Sequence, residues 1–358
     1  MPDGSAFIDP AQMPQGLTWC ADDQPGLTRV RRGKGFSYHR ADGEPVTDER
    51  VLSRIKALAI PPAWTDVWIC PRARGHIQAT GRDIKGRKQY RYHAHWSEGR
   101  SEAKFHRLTD FARALPRLRR RVDEDLSLRG LPREKVLAAV IRVMERTLIR
   151  VGNEEYARTN RSFGLTTLRD RHVKVGGSRA VFEFKGKSGK VHQTGFNDRR
   201  LARIVKACQD IPGQRLFQYI DEDGERRAVE SADVNAYIRE AMGEDFSAKD
   251  FRTWAGTVMA AQALMMSEPC STAAETKRSV NACVKAVAGL LGNTVAVARS
   301  AYIHPAVLEA YGEGELDLKP GQEDRAFELA VLRFLEATRD RQPAKAGAAA
   351  KAMSRKAG

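Results

Sequence analysis

The chain has 358 residues, 42% of them hydrophobic and 30% charged, an ordinary balance for a globular protein and enough length for two domains with cores of their own. Its formal net charge of +16 favours a polyanionic partner, for which nucleic acid is the usual candidate, although a basic protein without such a partner has the same composition. Five cysteines, an odd number with no C-x-x-C pair, argue against a disulfide framework or a zinc site; with no charged-then-apolar leader in MPDGSAFIDP and no apolar run long enough to span a bilayer, they predict a cytoplasmic protein with reduced thiols.

Taken in order, residues 1–20 are polar with scattered prolines and read as irregular. Residues 27–40 predict two short strands around Gly33-Lys34-Gly35. Asp48 is placed to cap a helix from Glu49 to Leu58, stopped by Pro61-Pro62. Val67 to Cys70 and His76 to Thr80 predict strands joined by a basic turn. A β-rich domain is therefore expected over residues 1–97, with a linker near 95–100.

Beyond it the helical period takes over. Phe105 to Leu115 is amphipathic, and Pro116 is expected to end or kink that helix. Glu134 to Arg150 is the strongest helix, with Val136, Ala139, Val140, Val143, Met144 and Leu148 on one face. Val181 to Phe184 and Val191 to Thr194 predict a hairpin around a Gly186–Gly189 turn. Helices follow at 198–210, 231–242, 248–266, 271–291 and about 324–339, with Cys208 and Cys283 in apolar helical patterns that predict core positions. Residues 344–358 form a basic, Ala/Lys-rich tail that predicts disorder. The expected class is α+β: a small β-rich N-terminal domain, then a mostly helical domain over 98–343 carrying a small hairpin sheet.

Five residues in that second domain fit phosphoryl transfer. Such chemistry at a phosphodiester needs a nucleophile, cations on the non-bridging oxygens and an acid for the departing oxygen. Tyrosine serves as nucleophile when nearby cations help it ionise, because its ordinary pKa is near 10. Arginine grips phosphate with a planar fork, and lysine beside other cations is a usable acid. Tyr302, Arg150, Arg252, Lys187 and Asn293 supply these types. Each also has a plain structural reading: a helix-dipole arginine, a solvated hairpin lysine, a surface ion pair, a helix-end asparagine and a packing tyrosine.

Their order and context resemble those of the type IB DNA topoisomerases of the small bacterial and poxvirus-like kind, over roughly residues 20–315. The resemblance rests on Ile60 to Ile69 (IPPAWTDVWI), Gly81 to His93 (GRDIKGRKQYRYH), the Arg-Val-Gly-x-x-x-Tyr run at 150–156, Gly164-Leu165-Thr166-Thr167-Leu168, Phe-x-Gly-Lys at 184–187 and Leu290-Leu291-Gly292-Asn293 with Tyr302. It implies the catalytic fold shared with tyrosine recombinases and a clamp on duplex DNA. It implies relaxation of supercoils through a 3′-phosphotyrosyl intermediate, by a monomer needing no cofactor, ATP, metal or obligate protein partner. In that scheme Tyr302 attacks, Arg150 and Arg252 clamp the scissile phosphate, Lys187 protonates the leaving 5′-oxygen and Asn293 donates a hydrogen bond. Poxvirus and nuclear relatives carry histidine at the position of Asn293, so hydrogen bonding and not proton transfer is expected there. Asn153 stands where poxvirus relatives place lysine, so their sequence preference is not carried over.

Residues 81–92 hold five basic side chains against the single Asp83, and Tyr90 and Tyr92 would share one face of a strand. Arg82, Lys85, Arg87, Lys88, Tyr90 and Tyr92, with Tyr156 of the 150–156 run, are the expected DNA contacts. Arg117 to Arg121, Arg169 to Lys174 and Arg199, Arg200 and Arg203 read as solvated faces or non-specific phosphate contacts. His304 reads as structural. Two rivals remain: a tyrosine recombinase or integrase, and a DNA-binding architectural protein without catalysis.

Overall fold

The computed structural model describes residues 13–14, 16–243, 246–319 and 324–339, without the side chains of residues 98, 100–102 and 188. The irregular stretch expected at 1–12 and the tail at 344–358 lie outside the described residues. The chain forms two compact units, Met1–Lys104 and Phe105–Gly358.

The N-terminal unit is built on one antiparallel sheet. Its strands are β1 (Leu27–Arg32), β2 (Gly35–His39), β3 (Thr65–Ile69), β4 (Ile77–Arg82) and β5 (Lys88–Tyr92), in the order β2-β1-β3-β4-β5. Consecutive strands that pair as hairpins need only short turns, which the Gly33 and Gly86 stretches provide. Helix α1 (Glu49–Ala57) starts where the Asp48 carboxylate accepts from Arg50 N at 2.8 Å. It buries Ile55 in a small core with Leu27, Val46, Val67, Ile69 and Ala79. β5 is left as an edge strand.

The larger unit is mostly helical. Helix α2 (Ala94–Leu126) contains both the expected linker and Pro116. The helix runs through the proline because Phe111, Leu115, Leu118 and Val122 are buried on either side of it, which outweighs the one backbone donor that proline lacks. Helix α3 (Arg133–Thr147) is the centre of the core, with Val136 to Ile141, Val143 and Met144 all buried. It ends earlier than expected: Leu148 caps it in left-handed backbone (φ 55°), so Arg150 follows the helix and does not belong to it.

After α4 (Glu154–Asn160) comes the three-stranded antiparallel sheet β6 (Val173–Gly176), β7 (Arg179–Lys185) and β8 (Val191–Asn197). Helix α5 (Arg199–Gln209) follows, then a two-stranded sheet, β9 (Gln218–Ile220) and β10 (Arg226–Ala228), too short to leave a period in the sequence. Helices α6 (Ser231–Met242), α7 (Ala248–Met265), α8 (Ala273–Leu291), α9 (Val295–Ala301), α10 (Pro305–Glu313) and α11 (324–339) complete the unit. No single helix among the described residues is long and apolar enough to cross a membrane; α8 and α9 together are, but they bend by 95° at their junction.

The Arg117–Arg121 cluster is not simply a solvated face. Arg119 donates to Glu145 at 2.9 Å and to Glu328 at 2.6 Å, tying α2 to α3 and α11, and Arg121 pairs with Asp125 at 2.8 Å. Arg169 similarly lies over the Phe163 ring, and Arg200 donates to the Ser127 hydroxyl at 2.7 Å.

Candidate active site

Arg252 is the hub. It lies on the second turn of α7, whose start is fixed by Asp250 accepting from Ser247 N at 2.9 Å, and only 4% of it is exposed. Its Nη1 donates to the Leu148 carbonyl and its Nη2 to the Leu291 carbonyl at 2.6 Å. The guanidinium thus ties the residue that ends α3 to the residue that ends α8. Its Cζ lies 5.2 Å from the centre of the Tyr302 ring, and its Nε has no partner among the described residues. Burial, and then the charge of Arg150, pull its pKa down to about 10, with Tyr302 opposing; it remains a cation at neutral pH.

Arg150 and Asn293, each two residues beyond one of those carbonyls, meet each other. Arg150 leaves α3 in an extended segment whose own carbonyl accepts from Leu165 N at 2.9 Å. Asn293 follows Gly292, which ends α8 in left-handed backbone (φ 61°) where glycine is unstrained. Arg150 Nη2 donates to Asn293 Oδ1 at 2.5 Å. Arginine only donates, so this bond fixes which way the amide points. The Asn293 Nδ2 group is then buried with its hydrogens unused, among the described residues.

Lys187 is exposed on the short turn Lys187–Gly189 between β7 and β8. One segment secures both this hairpin and the Arg150 strand. Phe163 N donates to Lys185 O at 2.8 Å and Ser162 Oγ to Gly186 O at 3.1 Å, while Leu165 N and Thr166 N bond the Arg150 and Val151 carbonyls. The expected Gly164-Leu165-Thr166-Thr167 stretch is that connector, and the turn at Leu165–Thr167 is fully buried.

Sequence reasoning missed His192. It pairs with Phe184 across the hairpin, and the two rings stack with centres 5.5 Å apart. The imidazole lies against the backbone of both Gly186 and Gly292: a Cβ placed on either glycine would come within 2.4 Å of the ring. Burial first, then Arg150, Arg252 and Lys190, lower its pKa and favour the neutral form. The signal available was period-two alternation, which sets His192 opposite a buried phenylalanine on the strand that leaves the Lys187 turn.

Tyr302 caps α9, its N–H donating to Ala298 O at 3.0 Å. Its carbonyl packs on α7 at Gly256, one turn beyond Arg252, where an added Cβ would lie 2.5 Å from that oxygen. His304, two residues on, is structural: its N–H donates to Thr257 Oγ1 at 3.1 Å, and its Nδ1 accepts from Ala306 N at 3.1 Å to cap α10. Burial, and then His106, hold its pKa down to about 4.

The expected DNA contacts of the N-terminal unit are surface residues, but less freely charged than their sequence implies. Arg87 grips Asp83 with Nε and Nη2 at 2.8 and 2.6 Å, Lys88 pairs with Asp22 at 2.8 Å and Arg82 with Asp66 at 3.6 Å. Lys85 is exposed in the turn, where its N–H donates to Asp83. Tyr90 and Tyr92 do share a face of β5, with rings stacked 5.8 Å apart. In the other unit Tyr156 is 51% exposed on α4, which Asn153 caps.

Residues 93–324, more than half of the chain, match the family model described as eukaryotic DNA topoisomerase I, catalytic core, and residues 35–83 match bacterial DNA topoisomerase IB, N-terminal domain. The chain is 36% identical to DNA topoisomerase 1B of Acanthamoeba polyphaga mimivirus over 80% of its own length and 87% of the relative's. It is 21% identical to DNA topoisomerase 1B of Vaccinia virus (strain Copenhagen), over 74% and 83% of the two lengths, and 22% identical to DNA topoisomerase 1 of Rabbit fibroma virus (strain Kasza), over 71% and 80%. Both regions match topoisomerases, which favours that reading over a recombinase, and the chain belongs to the type IB DNA topoisomerase family.

Proposed function

We propose that the chain relaxes supercoiled duplex DNA, with Tyr302 as the nucleophile. Its hydroxyl gives up its proton to solvent water, helped by the nearby Arg252 cation, and the oxygen attacks a backbone phosphorus and forms a P–O bond. The P–O5′ bond breaks, the 5′-oxygen leaves with a proton from Lys187, and a 3′-phosphotyrosyl enzyme results. Arg150 and Arg252 hold the non-bridging oxygens as charge builds, and Asn293 donates to one of them. The nicked duplex swivels, and the reverse step reseals it. The phosphotyrosyl bond retains the energy of the phosphodiester, so resealing needs no ATP. Metal is not needed in this scheme, because the arginines supply the positive charge.

The observation that carries this reading is Arg252, buried, charged and 5.2 Å over the Tyr302 ring, holding by two carbonyls the segments that bear Arg150 and Asn293. A salt bridge or a surface role explains neither its burial nor its company. Arg82, Lys85, Arg87, Lys88, Tyr90, Tyr92 and Tyr156 are the proposed DNA contacts, supported by the exposure of all but the half-buried Tyr90 and, at β5, by the stacked tyrosine pair. The enzyme is proposed to act as a monomer in the cytoplasm, at the nucleoid, on the strength of the family and the net charge of +16.

The test is relaxation of a supercoiled plasmid in EDTA without ATP, wild type beside Tyr302→Phe. Wild type should relax the plasmid and leave a covalent adduct on denaturation. The Phe variant should do neither yet bind DNA within about threefold of wild type. A variant that still relaxes plasmid removes Tyr302 from the role of nucleophile; a wild type that only binds leaves the architectural reading.

A further inference from the structure

We propose that His192 is a positioning residue, a wedge that sets the Lys187 turn at its working distance from the Asn293 turn. The proposal rests on the reading of Lys187 and Asn293 as catalytic. Two glycines flank the ring, and each immediately precedes one of those residues: Gly186 before Lys187, Gly292 before Asn293. An added Cβ at Gly186 would lie 2.4 Å from His192 Cδ2, and one at Gly292 would lie 2.4 Å from Cε1. The ring therefore touches both turns along its Nε2 edge, through the carbons on either side of that nitrogen, with no side chain between it and either backbone. Its third support is Phe184, stacked at 5.5 Å with the ring planes 13° apart. A planar group backed by a buried phenylalanine and wedged between two turns fixes their spacing.

The Lys187 side chain is exposed at the turn, and the 162–163 segment ties the hairpin only as far as Lys185 and Gly186. A hairpin tip left to itself moves, and a misplacement of about 1 Å costs on the order of 10²-fold in rate. The neutral imidazole suits this role, since Arg150, Arg252 and Lys190 all bear on it and a charged ring would be repelled from them. A wedge also accounts for both glycines, because any side chain at either place would displace the ring.

The experiment is single-turnover cleavage at saturating enzyme, comparing an ordinary duplex with one carrying sulfur at the scissile 5′-bridging position. Sulfur leaves without protonation, so it bypasses the acid. His192→Ala should cleave the ordinary duplex on the order of 10²-fold more slowly and the sulfur duplex within about threefold of wild type. Lys187→Ala, run alongside, should behave in the same way. If Lys187→Ala is rescued by sulfur and His192→Ala is slowed equally on both duplexes, His192 supports the whole site and the wedge is wrong; no slowing at all also overturns it. If sulfur fails to rescue Lys187→Ala, the acid assignment fails and takes the wedge with it. A second measurement does not depend on His192→Ala being well folded. Gly186→Ala should slow cleavage in the presence of His192 but add little to the loss already caused by His192→Ser, which removes the ring atoms that the new methyl strikes. Additive losses in that pair would contradict the wedge.

Discussion

Arg150 donates to the Oδ1 of Asn293 at 2.5 Å and thereby turns the amide nitrogen, buried and without a partner among the described residues, into an available donor. The pair behaves as one unit: a fixed cation and a neutral donor oriented by it. Asn293→Asp keeps the shape, strengthens the bond to Arg150 and removes the donor, while adding a negative charge where a phosphate must bind. Cleavage should fall by about 10²- to 10³-fold with the melting temperature unchanged or raised. Asn293→Ala, which deletes the donor and the Oδ1 that anchors Arg150 but adds no negative charge, should cost about tenfold. Single-turnover cleavage of a nicked duplex reads both. Equal rates for Asp and Ala would mean that the amide's orientation does not matter.

Gly256 lets the Tyr302 backbone lie directly on α7. In an ordinary helix, Gly→Ala is stabilising by about 1 kcal/mol. Here the new methyl would meet Tyr302 O at 2.5 Å, a backbone atom that cannot swing aside. Gly256→Ala should therefore destabilise by roughly 1–3 kcal/mol and slow covalent-adduct formation by on the order of 10²-fold, although it touches no catalytic side chain. A melt and an adduct assay on the same preparation decide it. A more stable, fully active variant would show that α9 can shift freely.

What the sequence disclosed here was what short-range patterns encode. The β7–β8 hairpin, the Asp48 cap and the face shared by Tyr90 and Tyr92 all follow from local period and capping chemistry. The five candidate site residues were legible only through family resemblance, because each alone has an ordinary structural role. Features that depend on the tertiary fold stayed hidden. Leu148 stops α3 in left-handed backbone without a glycine to announce it, so the sequence pattern runs the helix on to Arg150. Pro116 reads as a stop until Phe111 and Leu118 bury the helix around it. Asp22 and Asp66 neutralise Lys88 and Arg82 from distant strands and loops, which no window of the sequence contains. His192 gained its meaning from Gly292, one hundred residues away and invisible to any motif.

Arg252 and Arg150 should separate when each is changed to lysine. Arg252 spans two carbonyls from inside the core, and an ammonium cannot replace that fork. Arg252→Lys should lose about 2–3 kcal/mol of stability, from an unpaired carbonyl and a poorly satisfied buried charge, together with at least 10²-fold in cleavage. Arg150 is half-buried and, among the described residues, its side chain bonds Asn293 alone, so Arg150→Lys should lose rate with less than about 1 kcal/mol of stability. Chemical denaturation with parallel cleavage assays distinguishes the two. Equal stability losses would show that Arg252 is not the tie between the ends of α3 and α8.

His304 gives the fold an acid-sensitive joint. Its neutral Nδ1 caps α10 by accepting from Ala306 N, and burial holds its pKa down to about 4, below the ordinary 6.5. A depressed histidine pKa means that the unfolded chain takes up the proton first. Between about pH 6.5 and pH 4 the unfolded state binds more protons, so stability should fall as the pH is lowered through that window and level off below it. The contribution of this one group amounts to roughly 3–3.5 kcal/mol across the window. Protonation also converts Nδ1 from acceptor to donor, which uncaps α10 just beyond Tyr302. Asparagine can accept at a helix N-cap without titrating, so His304→Asn should keep most of the stability at pH 7.5 and flatten its decline toward pH 5. Thermal melts of both proteins across pH 7.5 to 4.5 test this. Parallel curves would mean that the acid sensitivity lies elsewhere.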